Sequence, residues 1–265
     1  MRKPISYPAS ASSETVELCE ALAGVIQNLP ARPIVRGREA KFAAWLGDRR
    51  MKEIEDLTRD ELSEYFAGTQ RDLSHFERRI PEEAVVQFLV DRPRIDSPAL
   101  KVAAGVATGG PFPDIRSTVI TTQPDRQGRY VQFIAPDHIS GVLSEVYRVW
   151  AMAAPAPEAV FNAVWLLAAV LNAHPFPDGN GRLARALCNA YLLKSGVLCH
   201  GALPLGALIY ASRGNFEIAM RRVEIMQTWE PLCRFFLATI TAYAAWIEVF
   251  EMTNAVQANG APSHG

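Results

Sequence analysis

Apolar residues crowd into two stretches of the chain, 159–173 and 235–250, and elsewhere recur among charged positions at helical spacing. The segment FNAVWLLAAVLNA, Phe161 to Ala173, is almost uninterrupted. It must stop near His174, because Pro175 disfavours helical geometry at its predecessor. Helical spacing returns in RLARALCNAYLLKSG, where Leu183, Leu187 and Tyr191 share one face and Gly196 stands as a C-terminal stop. A helix, a loop and a second helix are predicted there. Ser13 to Leu29 and Gly37 to Arg79 are rich in good helix formers, with Phe42, Trp45, Leu46, Met51 and Ile54 apolar among charges. Thr58 and Glu61 make a capping box that opens a helix after Leu57. Further helices are predicted over Glu82 to Asp91 and Ser97 to Val106.

Only one place reads as β. After the Gly/Pro-rich passage ATGGPFPD, Ala107 to Asp114, the segments Ser117 to Thr122 and Arg129 to Phe133 are rich in Val, Ile, Thr, Tyr and Phe and flank the turn PDRQG. The expected fold class is all-α, mainly helical, with a small β-hairpin flap. Two strands alone are marginally stable, so an exposed edge that captures an extended segment would give the hairpin a purpose. A plain connection is the other reading. The chain divides on this pattern into an N-terminal helical extension (1–106), a domain (107–253) holding the flap (117–133) and the loop (174–185), and a disordered tail (254–265). The first residues, MRKPISYPASASSE, read as a mobile arm.

The loop HPFPDGNGRLAR, His174 to Arg185, carries the chemistry. Gly179 and Gly181 permit backbone conformations that turn successive amides toward one bound group at the mouth of a helix, which suits an anion. Arg182 and Arg185, three apart, share a helix face and repel each other unless an anion lies over them; a polyphosphate satisfies both. Asp178 would repel those phosphates unless it holds a divalent cation, and magnesium is the economical choice. His174, with an ordinary pKa of about 6.5, is largely neutral at pH 7 and suited to be a general base. Singly, each residue has a plainer explanation as a cap, a turn residue or a solvated pair. Capping needs neither Asn180 between two glycines nor the arginines that follow.

These residues resemble the signature loop of the Fic family: His, Pro, Phe, any residue, Asp or Glu, Gly, Asn, Gly, Arg, two of any kind, Arg. The resemblance covers roughly Pro111 to Val249 and makes 107–253 a Fic domain. It implies a protein adenylyltransferase that moves AMP from ATP to a Ser, Thr or Tyr hydroxyl of a target protein, with release of pyrophosphate. By resemblance His174 is the catalytic base, Phe176 anchors the loop and Asp178 binds Mg²⁺. Gly179, Asn180, Gly181, Arg182 and Arg185 bind the nucleotide phosphates, with Arg185 at the γ-phosphate. The flap residues Val119, Ile120, Thr121, Thr122 and Val131 would dock the protein substrate. Related Doc-type kinases carry Ala and Lys where this chain has Gly179 and Gly181, which favours adenylylation here. Transfer of another nucleotide, of phosphate or of phosphocholine stays open, as do auto-modification and a non-catalytic, nucleotide-dependent regulatory binding protein.

Many Fic proteins are restrained by a helix with Ser or Thr, three residues, Glu, then Gly or Asn, whose glutamate pairs with the second arginine. This chain has no full match. Glu55 follows Met51 and precedes Asp56, and Glu17 follows Ser13 but precedes Leu18; these two are the inhibitory glutamates to consider, and a separate inhibitory partner is the alternative.

Composition narrows the rest. A net charge of -1 argues against a nucleic-acid partner. Cys19, Cys188, Cys199 and Cys233 lack paired spacing, which points to free thiols and a cytoplasmic setting. Both apolar stretches fall short of the roughly 20 residues of a spanning helix, so no membrane association is expected.

Overall fold

A computed structural model describes residues 2–30, 82–122, 128, 130–212 and 214–259. Its centre is the helix predicted from the apolar run, Ala156–Ala173. Because almost every side chain on it is apolar, it is stable only when covered on all sides. In chain order the described helices are α1 (Ser13–Gln27), α2 (Glu82–Val90), α3 (Ser97–Thr108), α4 (Ile139–Ala151), α5 (Ala156–Ala173), α6 (Asn180–Lys194), α7 (Leu205–Ala211), α8 (Asn215–Met226) and α9 (Glu230–Asn259), with a single 3-10 turn at Pro136–His138. Helix α5 packs against α6, α1 and α4, while α1 also packs on α9, and α2 and α3 lie on α6. By length and composition α5 could cross a membrane, but 78% of it is buried inside this protein.

The ends of these helices follow local chemistry. Asp96 caps α3 by accepting the amide of Ala99 at 2.9 Å, and Gly109 closes it in the left-handed conformation. Helix α3 runs two residues past the predicted end at Val106. The helices Ser13 to Leu29 and Glu82 to Asp91 appear within two residues of prediction. The long predicted stretch 37–79, its capping box and Glu55 lie outside the described residues.

Three expectations need correction. The tail does not begin at Asn254, since α9 continues to Asn259. Ala, Val and Gln cost little once a helix is already nucleated by its buried first turns. The N-terminal arm is also held in place: Ile5 is only 2% exposed. Two buried amides of α5 explain its order, because a buried amide without partners is costly. Asn162 Oδ1 accepts from the Tyr7 hydroxyl at 2.7 Å. Asn172 donates to the Lys3 carbonyl at 3.0 Å and accepts from the Ile5 amide at 3.3 Å.

The third correction concerns the flap. Among the described residues no two-stranded hairpin spans 117–122 and 129–133; one antiparallel bridge joins Thr121 and Gln132. Thr122 N donates to Val131 O at 2.9 Å and Phe133 N to Ile120 O at 3.1 Å. The ladder stops because side chains take over its groups. Thr122 Oγ1 accepts the Val131 amide at 2.9 Å, and Arg116 donates to the Thr118 carbonyl at 2.8 Å.

Candidate active site

Helix α5 ends at His174, whose φ of 47° and ψ of 58° place it in the left-handed region. A side chain there is uncommon and costs energy that the surroundings must supply. Arg116 supplies it. Its guanidinium is almost fully buried and donates to four carbonyls: His174 at 2.7 Å, Ala173 at 2.9 Å, Ile134 at 2.7 Å and Thr118 at 2.8 Å. Its own amide donates to Pro175 O at 2.8 Å. Arg116 therefore ties the flap to the turn that aims the histidine, and its charge sits where a helix C-terminus favours a cation.

The His174 ring lies against Phe133, with centroids 4.0 Å apart and planes at 28°. Its Nδ1 is buried without a hydrogen bond of good geometry. The imidazole pKa falls to about 4. Burial is the main cause; the Leu171 carbonyl and Asp178 pull the other way, and Arg2 and Arg116 add to the lowering. The ring is thus neutral well below pH 7. Stability follows with a definite sign: between about pH 6.5 and 4 the unfolded chain takes up a proton that the folded one refuses, so folding weakens as pH falls through that window. Relative to a His174→Asn variant, which cannot titrate, the wild type should lose up to about 3 kcal/mol more between pH 7 and pH 4 in urea unfolding.

Beyond His174 the chain makes a closed loop. Phe176 is fully buried, its amide donates to Asn180 Oδ1 at 2.9 Å, and Asn180 Nδ2 donates back to the Phe176 carbonyl at 2.7 Å. The Asn180 side chain is therefore spent on the loop, leaving its main-chain amide for an anion. Gly179, at φ 80°, opens α6, and a Cβ there would come within 2.8 Å of Thr108 Cγ2. A larger residue in that corner would have to push the Thr108 methyl aside and hold a φ that glycine adopts freely. The first intrahelical bond of α6 runs from Leu183 N to Gly179 O, so the amides of Asn180, Gly181 and Arg182 have no helical acceptors.

The charged side chains line the same mouth. Asp178 is 79% exposed, accepts the Gly179 amide at 2.6 Å and pairs with Arg182 at 3.2 Å. Arg185 lies deeper and is bound: its Nε donates to Glu82 Oε1 at 2.8 Å and its NH2 to the same oxygen. Gly206 leaves room for this guanidinium, since a Cβ there would meet Arg185 Nε at 3.2 Å. Glu17 is exposed on α1. Of the flap residues, Val119 and Thr121 are exposed, while Ile120, Thr122 and Val131 are half-buried.

The comparisons with known proteins bear on this loop and its helices. The family model described as Fic/DOC matches residues 45–192, more than half of the chain. The chain belongs to the Fic/DOC family. That match includes the whole motif, Arg116 and Glu82, and it reaches back into the region read as an N-terminal extension. Among solved structures, a Fic family protein from Desulfovibrio desulfuricans G20 superposes with a TM-score of 0.57 at 17% identity, covering 98% of this chain and 79% of that one. A Fic-1 fragment from C. elegans gives 0.53 at 15% identity, covering 93% and 73%. At such identities the likeness concerns the fold. Fic/DOC proteins are typically transferases.

Sequence reasoning missed Arg116, Glu82 and Phe133. Arg116 stands alone after a Gly/Pro-rich passage, and nothing in its neighbours announces a buried guanidinium. Glu82 reads as the acidic first turn of a helix, which it also is.

Proposed function

We propose that this Fic/DOC protein is a protein adenylyltransferase. The observation that carries the proposal is a buried histidine, held neutral, one short loop from a helix mouth that carries free amides and two arginines. A base with no other work to do points to proton removal, and the helix mouth suits the phosphates of a nucleotide. In the step we infer, His174 accepts the proton of a target hydroxyl. The hydroxyl oxygen bonds to the α-phosphorus of ATP, the bond from that phosphorus to the bridging oxygen breaks, and pyrophosphate leaves. Arg182 and the amides of Asn180 to Arg182 offset the charge on the phosphates, with Arg185 available when Glu82 releases it.

Magnesium fits the residues present. Among the described residues no group of three His, Cys, Asp or Glu side chains could hold a metal alone. A single exposed carboxylate is nonetheless the usual protein share of a magnesium site completed by phosphates and water. Asp178 would hold it, and the ion would neutralise developing charge on the phosphates.

The protein substrate is placed by the flap. The Gln132 carbonyl already accepts the Arg2 amide at 2.8 Å, so the outer edge of 131–133 is taken. An extended target segment would then pair along the opposite edge, at exposed Val119 and Thr121.

The test uses ATP labelled on the α-phosphate, with Mg²⁺ and cell lysate, beside γ-labelled ATP. Protein-bound α-label without γ-label is expected. γ-Label alone would mean phosphate transfer and would overturn the proposal; parallel incubations with other nucleotides and with CDP-choline identify another donor.

A further inference from the structure

The residues nearest the chain's beginning lie outside the family match, yet they form part of the wall around His174. Arg2 is held three ways. Its amide donates to Gln132 O at 2.8 Å, its guanidinium lies 4.5 Å over the Phe133 ring, and its NH1 stands 3.0 Å from Glu224 Oε1. Phe133 is the ring stacked on His174. Glu224, on α8, is a buried carboxylate with a 1% exposed side chain that also pairs with Arg221 and accepts from Asn172 Nδ2 at 3.2 Å. Asn172 in turn holds the Lys3 carbonyl and the Ile5 amide, and it sits two residues before His174. The segment 2–5, α8, the end of α5 and the flap are thus closed into one network around the imidazole.

Packing alone does not explain an arginine here. Its charge is largely taken out of water, and its Nε is buried without a hydrogen-bond partner. Burial of an ion pair costs several kcal/mol of desolvation per charge, and apolar residues of similar volume commonly do as well or better. A cation does two things that Met or Leu would not. It attracts the face of Phe133, which keeps that ring on the imidazole. It also opposes a second positive charge on the histidine. Among the described residues the charged groups acting on His174 are Arg2, Arg116 and Asp178, and Arg2 is one of two cations among them.

We propose that Arg2, acting through Phe133 and anchored by Glu224, is a positioning residue for His174, and that residues 2–5 are a strap without which the base is misaligned. The proposal rests on the reading of His174 as the base, and the experiment separates the two. In full-length protein, Arg2→Met should lower kcat roughly tenfold with KM for ATP unchanged, because the strap does not touch the phosphate mouth, and Arg2→Lys should recover much of the loss. Since Arg2→Met takes from the buried Glu224 one of its two arginines, the double variant Arg2→Met with Glu224→Gln keeps the test open if the single variant folds poorly. The readout independent of transfer is the imidazole of His174 by NMR: its titration midpoint should rise in Arg2→Met and in the double variant, and stay near wild type in Arg2→Lys. A folded Arg2→Met or double variant with wild-type kcat and an unmoved titration overturns the strap even if His174 proves to be the base. Transfer that persists in His174→Asn would overturn the base reading and the strap with it, whereas loss of transfer in His174→Asn with wild-type kcat in Arg2→Met would overturn the strap alone.

Discussion

His174→Asn should lower AMP transfer by roughly 10² to 10⁴-fold, the usual worth of general-base assistance, while ATP still binds. The choice of Asn matters. His174 sits at φ 47°, a conformation that Asn tolerates and Ala does not, so Ala would combine loss of the base with strain in the turn that Arg116 clasps. Asn also removes the imidazole nitrogens assigned to accept the hydroxyl proton. Binding should persist because the phosphates are assigned to the mouth of α6, whose first amides do not involve the histidine side chain. Calorimetric titration with ATP checks that half of the prediction, and α-label incorporation checks the other. A variant that retains wild-type turnover would remove His174 from the reaction, and one that loses ATP affinity in parallel would mean that the turn, not the base, was damaged. The low imidazole pKa adds a second expectation: transfer should stay flat from pH 8 to about pH 6 rather than fall near the ordinary histidine value.

The parts of this molecule that were legible in the sequence are those fixed by short-range rules. The apolar run of α5, the proline after His174 and the glycines of the loop each act through their own backbone or their own face, so helix, loop and helix follow directly. The gathering of Asp178, Arg182 and Arg185 at one helix mouth was equally readable, because all three lie within eight residues of one another. Long-range pairing is what could not be read. Arg116 reaches 58 positions to the His174 carbonyl, Glu82 reaches 103 to Arg185, and Asn172 binds the Lys3 carbonyl across 169. Each of these is a single polar residue whose neighbours in sequence say nothing of its partner. The arm at residues 2–7 was misjudged for the same reason. Its composition is that of a free terminus, while the partners that fix it, among them the buried amides of Asn162 and Asn172 and the carboxylate of Glu224, lie on distant helices.

Glu82→Gln should raise the rate of transfer at low ATP by roughly tenfold to a hundredfold, the span set by the 1.5–3 kcal/mol net worth of a hydrogen bond to a charged group. The lower part of that span is the expected one, since Glu82 keeps 26% side-chain exposure and water weakens the pair. The Glu82 carboxylate and a γ-phosphate compete for one guanidinium. Arg185 gives its Nε and NH2 to the same Glu82 oxygen, and a γ-phosphate that needs Arg185 must first displace that carboxylate. Gln keeps the size of the side chain and a carbonyl acceptor but removes the charge, so the pair weakens without emptying the space beside Gly206. The cost to folding should be up to about 3 kcal/mol from the weakened bond to Arg185, with a few tenths added for the lost complement to the helix dipole in the first turn of α2. The gain should appear mainly as a lower KM for ATP, and it should vanish in the double variant with Arg185→Ala, where nothing is left to release. Neither Glu17→Gly nor Glu55→Gly should match it if Glu82 is the carboxylate that holds Arg185. A folded Glu82→Gln protein with unchanged KM and rate would show that this ion pair is a structural tie between α2 and α6 and not a brake on nucleotide binding.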